Sequence, residues 1–287
     1  MEALNNFISA SEIRELAKKL ALTPSKKLGQ NFVMDPNSIQ KIVRLSKVDK
    51  NEVVIEVGPG LGSLTVGLLP KVKKLYAIEV DSRLAEQLPI TIESKMSTEN
   101  LSVINKDFLD LKLSDLELEP TALVANLPYN LSVPILLQAL LKLPSIINFL
   151  IMVQSEVAAR ICAAPDSRIY GIPSVKIQYL TEAKIVSEIS RKVFWPEPNV
   201  DSSLVQLIRK TNFDAALQVL LFKIVDAAFS QRRKMLRSTL KQLGLIENEL
   251  NELFEKSSID PKKRAEQLSV ADYQNMAQQL ALILGSS

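Results

Sequence analysis

The chain has 287 residues, of which 47% are hydrophobic and 23% are charged, and this composition predicts a folded globular protein. It contains no histidine and a single cysteine, Cys162, which excludes histidine-based catalytic triads, a disulfide framework and a multi-cysteine zinc site. The net charge is only +3, but the stretch from Arg232 to Lys241 contains five basic residues and no acidic one, a pattern typical of polyanion contact or of a solvated helix face.

Two helices are predicted first, and an alternation of short strands and helices follows them. The helices at residues 11–22, with Ser11 as the N-cap, and 36–46 have apolar side chains at helical spacing. The predicted strands are residues 52–58, 73–81, 100–108, 121–129 and 147–154, and the helices between them are 64–72, 81–95 and 134–143. This alternation predicts an α/β fold with a mostly parallel sheet covered on both faces.

The chain changes character after about residue 210, where apolar residues keep helical spacing and strand-like runs are missing. A small all-helical domain is therefore predicted from about residue 212 to the end. The N-terminal residues do not resemble a signal peptide, and the most apolar region, 133–153, is interrupted by proline, glutamine and lysine. We therefore expect a cytoplasmic protein that does not span a membrane.

Glycines and acids mark the ends of the first three predicted strands. Gly58, Gly60 and Gly62 form a glycine-rich turn, which lets a ligand approach the main chain closely. Glu79 ends the second strand, where an acid can accept hydrogen bonds from two ribose hydroxyls, and Asp107 ends the third, where it can accept from an adenine amine. The pattern predicts a nucleotide-like cofactor. The alternatives are a nicotinamide dinucleotide, a tight turn without a ligand, and solvated acids.

The fourth predicted strand ends in the tetrapeptide Asn126, Leu127, Pro128 and Tyr129. An exocyclic amine of a nucleobase is a poor nucleophile because its lone pair is delocalised into the ring. The Asn126 side-chain oxygen and the Leu127 carbonyl can accept hydrogen bonds from its two N–H groups, and the fixed backbone of Pro128 helps to hold that carbonyl. Tyr129 offers an aromatic face for the base. The tetrapeptide predicts methyl transfer by positioning, without a strong base; an ordinary β-turn is the alternative.

Six motifs in chain order resemble the small-subunit ribosomal RNA adenine dimethyltransferases of the KsgA/RsmA type. They are KKLGQNF (26–32), EVGPGLGSLT (56–65), NLPYN (126–130), YGIPSVKIQY (170–179), FWPEPNVDSSLV (194–205) and FSQRRKMLRSTL (229–240). The resemblance implies a Rossmann-like S-adenosylmethionine-dependent methyltransferase domain at 25–211, a helical RNA-binding domain at 212–287 and an N-terminal extension at 1–24. The chain departs from the family at Leu28, at Val33 and in FWPEP, which replaces a more proline-rich run. None of these departures removes a group with assigned chemistry.

The resemblance also implies a reaction and a set of contacts. The chain is expected to transfer methyl groups from S-adenosylmethionine to N6 of two adjacent adenosines in a 3′-terminal hairpin of 16S rRNA. It is expected to act as a monomer without a metal, on a 30S assembly intermediate, and to contribute to small-subunit assembly. With the glycine turn included, the expected cofactor contacts are Gln30, Asn31, Val33, Gly58, Gly60, Gly62, Glu79, Asp107 and Asn126. The expected RNA contacts are Phe194, Pro198, Arg232, Arg233, Lys234 and Arg237.

Three other functions remain open from the sequence. A large-subunit rRNA adenine dimethylase of the macrolide-resistance type would share the pocket, although FSQRRKMLRSTL favours the small-subunit enzyme. A non-catalytic RNA-binding assembly factor is disfavoured by the intact tetrapeptide. A nicotinamide-dependent dehydrogenase would share the glycine turn and Glu79. From the residues alone, Phe194 and Trp195 are as suited to a core as to stacking on a base.

Overall fold

The computed structural model describes residues 7–22, 31–211 and 213–285. The helices are α1 (Ala10–Lys19), α2 (Pro36–Ser46), α3 (Thr65–Leu68), α4 (Ser82–Glu93), α5 (Ser132–Lys142), α6 (Ser155–Ile161), α7 (Ile172–Leu180), α8 (Ala215–Phe229), α9 (Leu236–Thr239), α10 (Glu247–Ser257) and α11 (Val270–Gly285). The strands are β1 (Phe32–Val33), β2 (Val53–Val57), β3 (Lys74–Glu79), β4 (Leu101–Asn105), β5 (Ala122–Asn126), β6 (Asn148–Gln154), β7 (Thr181–Ile189), β8 (Phe194–Trp195) and β9 (Ser202–Arg209).

Seven strands form the main sheet in the order β4-β3-β2-β5-β6-β9-β7. The strands from β2 to β6 pair in parallel, with Val57 opposite Ile78 and Glu79 opposite Asn105. All five residues of β2 are buried, as expected for a central parallel strand covered on both faces. The predicted α/β fold with a mostly parallel, Rossmann-like sheet is confirmed.

Two further strands, β9 and β7, extend the sheet beyond β6, and the sequence analysis did not predict them. Strand β9 runs antiparallel to β6, with Asn148 opposite Ile208 and Gln154 opposite Ser202. Its Arg209 is buried, and its guanidinium donates to the main-chain oxygens of Leu140, Leu143 and Ile146, at 2.9, 3.1 and 2.7 Å. These bonds satisfy carbonyls at the end of α5, the helix that follows the predicted reaction tetrapeptide.

The described residues fall into two compact units. The first comprises those within Met1–Ala158 and Lys184–Arg209 and is built on the sheet. The second comprises those within Ala159–Ala183 and Lys210–Ser287 and contains the helices α7 to α11. The second unit therefore includes a segment that precedes residue 212, where the sequence analysis began the helical domain. Among the described helices, none has the length and apolar character needed to cross a membrane.

Helix α1 belongs to the core of the first unit, although the sequence analysis treated residues 1–24 as an extension. Ile13 and Ala17 are buried in the cluster that also contains the interior of the sheet. The predicted cap at Ser11 is wrong, because Ser9 is the N-cap. Its hydroxyl accepts from the main-chain N–H of Glu12, whose carboxylate accepts from the N–H of Ser9. This reciprocal capping box satisfies two N–H groups that the first turn leaves free.

Candidate active site

A cavity lies at the carboxyl ends of β2, β3, β4 and β5, which is where open α/β sheets bind ligands. Most of the predicted cofactor and reaction residues line it. These are Asn31, Val33, Gly58, Gly60, Glu79, Asp107, Asn126 and Pro128. Among the described residues, Gly62, Leu127 and Tyr129 were also predicted for the site but do not line the cavity. Gln30 lies outside the described residues.

The glycine turn follows β2 and brings the main chain to the cavity. Gly58 and Gly60 have φ of +66° and +58°, a backbone conformation that side chains rarely adopt. A Cβ at Gly60 would lie 2.8 Å from a ring carbon of Phe32, so this glycine is also required for packing. A Cβ at Gly62 would instead meet Leu88 of α4 at 2.9 Å. The third glycine therefore serves close helix packing rather than the cavity wall.

Glu79, the last residue of β3, is held by two main-chain donors. The N–H of Gly60 donates to its Oε2 at 3.1 Å, and the N–H of Asp81 donates to its Oε1 at 3.0 Å. Glu79 is only 5% exposed, and this burial raises the pKa of its carboxyl above the ordinary value. Each oxygen keeps a further lone pair, so the carboxylate can accept from two hydroxyls of a ligand.

A second buried carboxyl, Glu56, lines the same cavity, and the sequence analysis missed it. It is 1% exposed, and its Oε2 accepts a hydrogen bond from the Thr65 hydroxyl at 2.8 Å. Burial raises the pKa of Glu56 to about 8, and the nearby charge of Glu79 acts in the same direction. An acid two residues before Gly58, inside an otherwise apolar strand, was the available sequence signal.

Asp107 reaches the cavity because the ends of β3 and β4 are tied together. The side-chain amide of Asn105 donates to the main-chain oxygen of Glu79 at 2.8 Å, and the N–H of Lys106 donates to the same oxygen at 3.0 Å. Asp107 itself caps a short 3₁₀ turn, with its Oδ1 accepting from the N–H of Leu109 at 2.9 Å. Its second carboxylate oxygen can therefore accept from an amine in the cavity.

Asn126 ends β5, and its side chain is fixed by the segment that contains β1. Its Nδ2 donates to the main-chain oxygen of Asn31 at 3.0 Å. This bond uses a donor of the amide and leaves Oδ1 as an acceptor, the role that the predicted methyl transfer requires. The next residue, Leu127, is buried, and its N–H donates to the oxygen of Met152 on β6 at 3.0 Å. The strand end is therefore anchored on both sides.

Tyr129 is half-buried and lies beside the start of β9. Its hydroxyl is 3.4 Å from the hydroxyl of Ser202, and burial raises the pKa of the phenol. Its main-chain oxygen accepts from the Ser132 hydroxyl at 3.3 Å. These contacts fix the position of Tyr129, which does not line the cavity, and its stacking on a target base stays a prediction.

The two predicted RNA contacts in β8 and in the loop after it differ in accessibility. Phe194 is 2% exposed and belongs to the core of the first unit, where it pairs with Val33 across the β1–β8 ribbon. The structure thus favours the core role that the sequence left open for this ring. Pro198 is half-buried, in the connection between β8 and β9.

The predicted basic RNA contacts lie in the second unit: three of them lie between α8 and α9, and Arg237 lies in α9. Arg232, Arg233 and Lys234 are exposed, and the Arg232 guanidinium donates to the main-chain oxygen of Arg168. Arg237 forms an ion pair with Glu247, which offsets its charge locally. The N–H groups of residues 236 and 237 donate to the oxygens of Lys263 and Pro261, at 2.8 and 3.1 Å. A second basic run, 262–264, is thereby brought beside the first.

The cavity has donors and acceptors that fit a nucleoside cofactor. Glu79 and Asp107 supply carboxylate acceptors, and the turn at Gly58 brings main-chain groups to the wall. Ser63 also lines the cavity, and its buried hydroxyl has no partner within the described residues, so it can bond a polar ligand group. Across those same residues, no group of three or more His, Cys, Asp or Glu side chains could hold a metal ion.

This chain is similar to known protein sequences along most of its length. Residues 22–282 match the sequence model of a family described as "Ribosomal RNA adenine dimethylase". Proteins described as "Ribosomal RNA small subunit methyltransferase A" in Corynebacterium efficiens and Thermobifida fusca are 46% and 44% identical to this chain. The first alignment covers 93% of this chain and 94% of the relative, and the second covers 95% and 96%.

Solved structures share the fold at lower identity. A dimethyladenosine transferase from Plasmodium falciparum superposes with a TM-score of 0.72 and 24% identity, over 88% of this chain and 98% of the other. The 23S rRNA methyltransferase ErmE gives 0.65 and 22%, over 87% of this chain and 99% of the other. At these identities the two structures show a shared fold alone.

Proposed function

Because the chain belongs to the ribosomal RNA adenine dimethylase family, whose members depend on S-adenosylmethionine, we propose that it methylates N6 of two adjacent adenosines in a 3′-terminal hairpin of 16S rRNA. The product is N6,N6-dimethyladenosine. One observation carries the proposal: Asn126 lines the same cavity as Gly58 and Glu79, so a methyl donor and a nucleobase amine can meet there.

The proposed cofactor contacts follow from the acceptors in the cavity. Glu79 accepts from the ribose hydroxyls, and Asp107 accepts from the adenine amine. Gly58 and Gly60 let the main chain approach the ligand, and the segment at Asn31 lies beside its methionine part. When bound, S-adenosylmethionine supplies a methyl group on a sulfonium, which needs no further activation by the protein.

Asn126 and Leu127 carry the proposed chemistry by positioning the amine. The Asn126 Oδ1 and the Leu127 carbonyl accept hydrogen bonds from the two N–H groups, so the nitrogen becomes pyramidal and its lone pair points at the methyl carbon. A C–N bond forms as the C–S bond breaks, and the sulfur keeps the electron pair. The nitrogen then loses a proton to water. No histidine is needed, in keeping with a chain that has none.

Labelled S-adenosylmethionine tests this proposal with isolated 30S and 50S particles from cells that lack the modification. The wild type should label 30S material at N6 of adenosine. Asn126→Ala should lose at least about a hundredfold in rate, because an aligned catalytic donor or acceptor contributes that much. Asn51→Ala is the matched control, since this asparagine is exposed in a turn before β2, and it should react as the wild type does.

The outcomes of this experiment separate the remaining functions. Label in 50S material alone would favour the large-subunit enzyme and overturn the proposed substrate. A wild type that binds 30S particles without transferring label would favour a non-catalytic assembly factor. The 42–46% identity to relatives described as small-subunit enzymes supports labelling of the 30S material.

RNA recognition is proposed for the helical region 212–287, where the contacts are Arg232, Arg233, Lys234 and Arg237. Phe194 and Pro198, which precede β9 in the first unit, are proposed as further contacts. The buried ring of Phe194 would have to act through the loop that it anchors. Replacing Arg232 and Arg233 by glutamate should weaken binding of a 16S hairpin RNA and lower its salt dependence, because fewer counterions are released. Affinity for S-adenosylhomocysteine should not change. An equal loss of both affinities would indicate misfolding and contradict the assignment.

The proposal has a cellular setting as well. We propose a monomer that acts on a 30S assembly intermediate in the cytoplasm, without a metal ion, and that contributes to small-subunit assembly. Sedimentation of the pure protein tests the oligomeric state. Comparing free 16S rRNA, 30S precursors and mature 30S subunits as substrates tests the stage of assembly. If mature 30S subunits were methylated fastest, the proposed action on an assembly intermediate would be contradicted.

A further inference from the structure

A two-stranded ribbon separate from the main sheet joins the cofactor side of the first unit to the loop before β9. It consists of β1 and β8, with Phe32 opposite Trp195 and Val33 opposite Phe194. The rings of Phe32 and Trp195 are stacked, with centroids 6.2 Å apart and planes inclined by 22°. The N–H of Met34 extends the connection by donating to the oxygen of Val193 at 2.7 Å.

The other side of β1 faces the cavity. The Phe32 ring lies so close to the glycine turn that a Cβ on Gly60 would be 2.8 Å from it. One residue earlier, the main-chain oxygen of Asn31 accepts the hydrogen bond from the Asn126 side chain at 3.0 Å. The segment 31–33 therefore forms one strand of the ribbon and also contacts the glycine turn and Asn126.

Such a short ribbon gains little from its own hydrogen bonds. A two-stranded pairing is marginally stable by itself, so side-chain packing must determine its position. The stacked pair supplies this packing on the outer side of Phe32. Among the described residues, Trp195 is not part of the cavity lining, so any effect of the indole on the ligand passes through Phe32 and Asn31.

We propose that Trp195 is a positioning residue for the cofactor site, holding Phe32 against the glycine turn and the Asn31 carbonyl against Asn126. The inference rests on the proposed placement of the cofactor in this cavity, and it is independent of which RNA is methylated.

Affinity for S-adenosylhomocysteine, measured by calorimetry on the full chain, tests the proposal without any RNA. Trp195→Ala should weaken binding roughly two- to tenfold, the range expected from the loss of an aromatic pair. Trp195→Phe keeps an aromatic ring and should retain nearly the wild-type affinity. Ile147→Ala is the control, because this exposed side chain precedes β6 at the opposite end of the sheet from the cavity, and its affinity should be unchanged.

The chain has a single tryptophan, which provides a readout that needs no substitution. Titration with S-adenosylhomocysteine should change the intrinsic tryptophan emission of the wild type. The midpoint of this change should agree with the affinity measured by calorimetry. Equal affinity of Trp195→Ala and the wild type would overturn the proposal, as would equal losses in Trp195→Ala and Trp195→Phe. If Trp195→Ala does not fold, an emission spectrum that stays constant on saturation of the wild type overturns it. Binding without methyl transfer would instead count against the proposed function alone.

Discussion

Replacing Glu56 by glutamine should stabilise the protein at neutral pH. The carboxyl is fully buried beside Glu79, and its Oε2 accepts the hydrogen bond from the Thr65 hydroxyl at 2.8 Å. Glutamine has nearly the same shape and keeps an oxygen that can accept this bond. The substitution therefore removes the ionisable group with little change in packing.

The magnitude follows from the pKa of Glu56, which burial raises from 4.5 to about 8. Below pH 4.5 the carboxyl is protonated in both the folded and the unfolded chain, so its ionisation does not affect the free energy of unfolding. Between pH 4.5 and 8 the unfolded chain loses this proton and the folded chain keeps it. Each pH unit in this window disfavours folding by about 1.4 kcal/mol, so the wild type loses roughly 3 kcal/mol by pH 7.

Urea unfolding of the wild type and Glu56→Gln from pH 4.5 to pH 8 measures this difference directly. The two free energies of unfolding should agree at pH 4.5 and diverge steadily until the variant is more stable by roughly 3 kcal/mol at pH 7. Glu93→Gln, an exposed carboxyl on α4, is the matched control and should remain within about 0.5 kcal/mol of the wild type. Parallel curves for the wild type and Glu56→Gln would refute the assignment of a buried, protonated carboxyl.

Three further substitutions test the packing around the site. Gly60→Ala adds a Cβ at positive φ against the Phe32 ring, and calorimetry should show weaker S-adenosylhomocysteine binding, with a stability loss of roughly 1–3 kcal/mol. Arg209→Met removes the guanidinium donor from three carbonyls at and after the end of α5, and urea unfolding should show a loss of roughly 3 kcal/mol. Ile13→Ala should cost roughly 2–5 kcal/mol in the same assay if α1 is part of the core.

Each of these has its own control and its own contradicting result. Gly285→Ala, in open space at the end of α11, should match the wild type, and unchanged ligand affinity in Gly60→Ala would contradict the close contact of the ring. Arg233→Met changes an exposed arginine of the second unit, and an equal stability loss there would argue against a special role of Arg209. An Ile13→Ala protein as stable as the wild type would mean that the N-terminal helix is dispensable.

The sequence was most informative where a residue type has one strong physical role. β-branched runs followed by glycine or an acid predicted the central parallel strands and their cavity edge, because parallel strands are buried on both faces and end together. The sequence alone thus placed Gly58, Glu79, Asp107 and Asn126 at one edge of the sheet, where they line the cavity.

The remaining features depend on tertiary packing that single residues do not encode. Glu56 was missed because an acid inside a strand is usually solvated, and only the folded neighbours bury it. Strand β7 carries polar residues on an edge, which weakens the strand signal, and residues 159–183 join the second unit through contacts distant in sequence. Helix α1 was placed in an N-terminal extension because it precedes the six motifs of the resemblance, although its apolar stripe enters the core.

Mapping of dimethyladenosine on 16S rRNA, by mass spectrometry of nuclease fragments, tests the central claim that Asn126 and the cofactor cavity together transfer methyl groups to adenosine. Cells that lack the protein should contain unmodified adenosines at two adjacent positions near the 3′ end. Wild type and Asn51→Ala should restore both dimethyladenosines, whereas Asn126→Ala should restore neither while accumulating to the same level. Full modification in the deletion strain, or rescue by Asn126→Ala, would contradict the account.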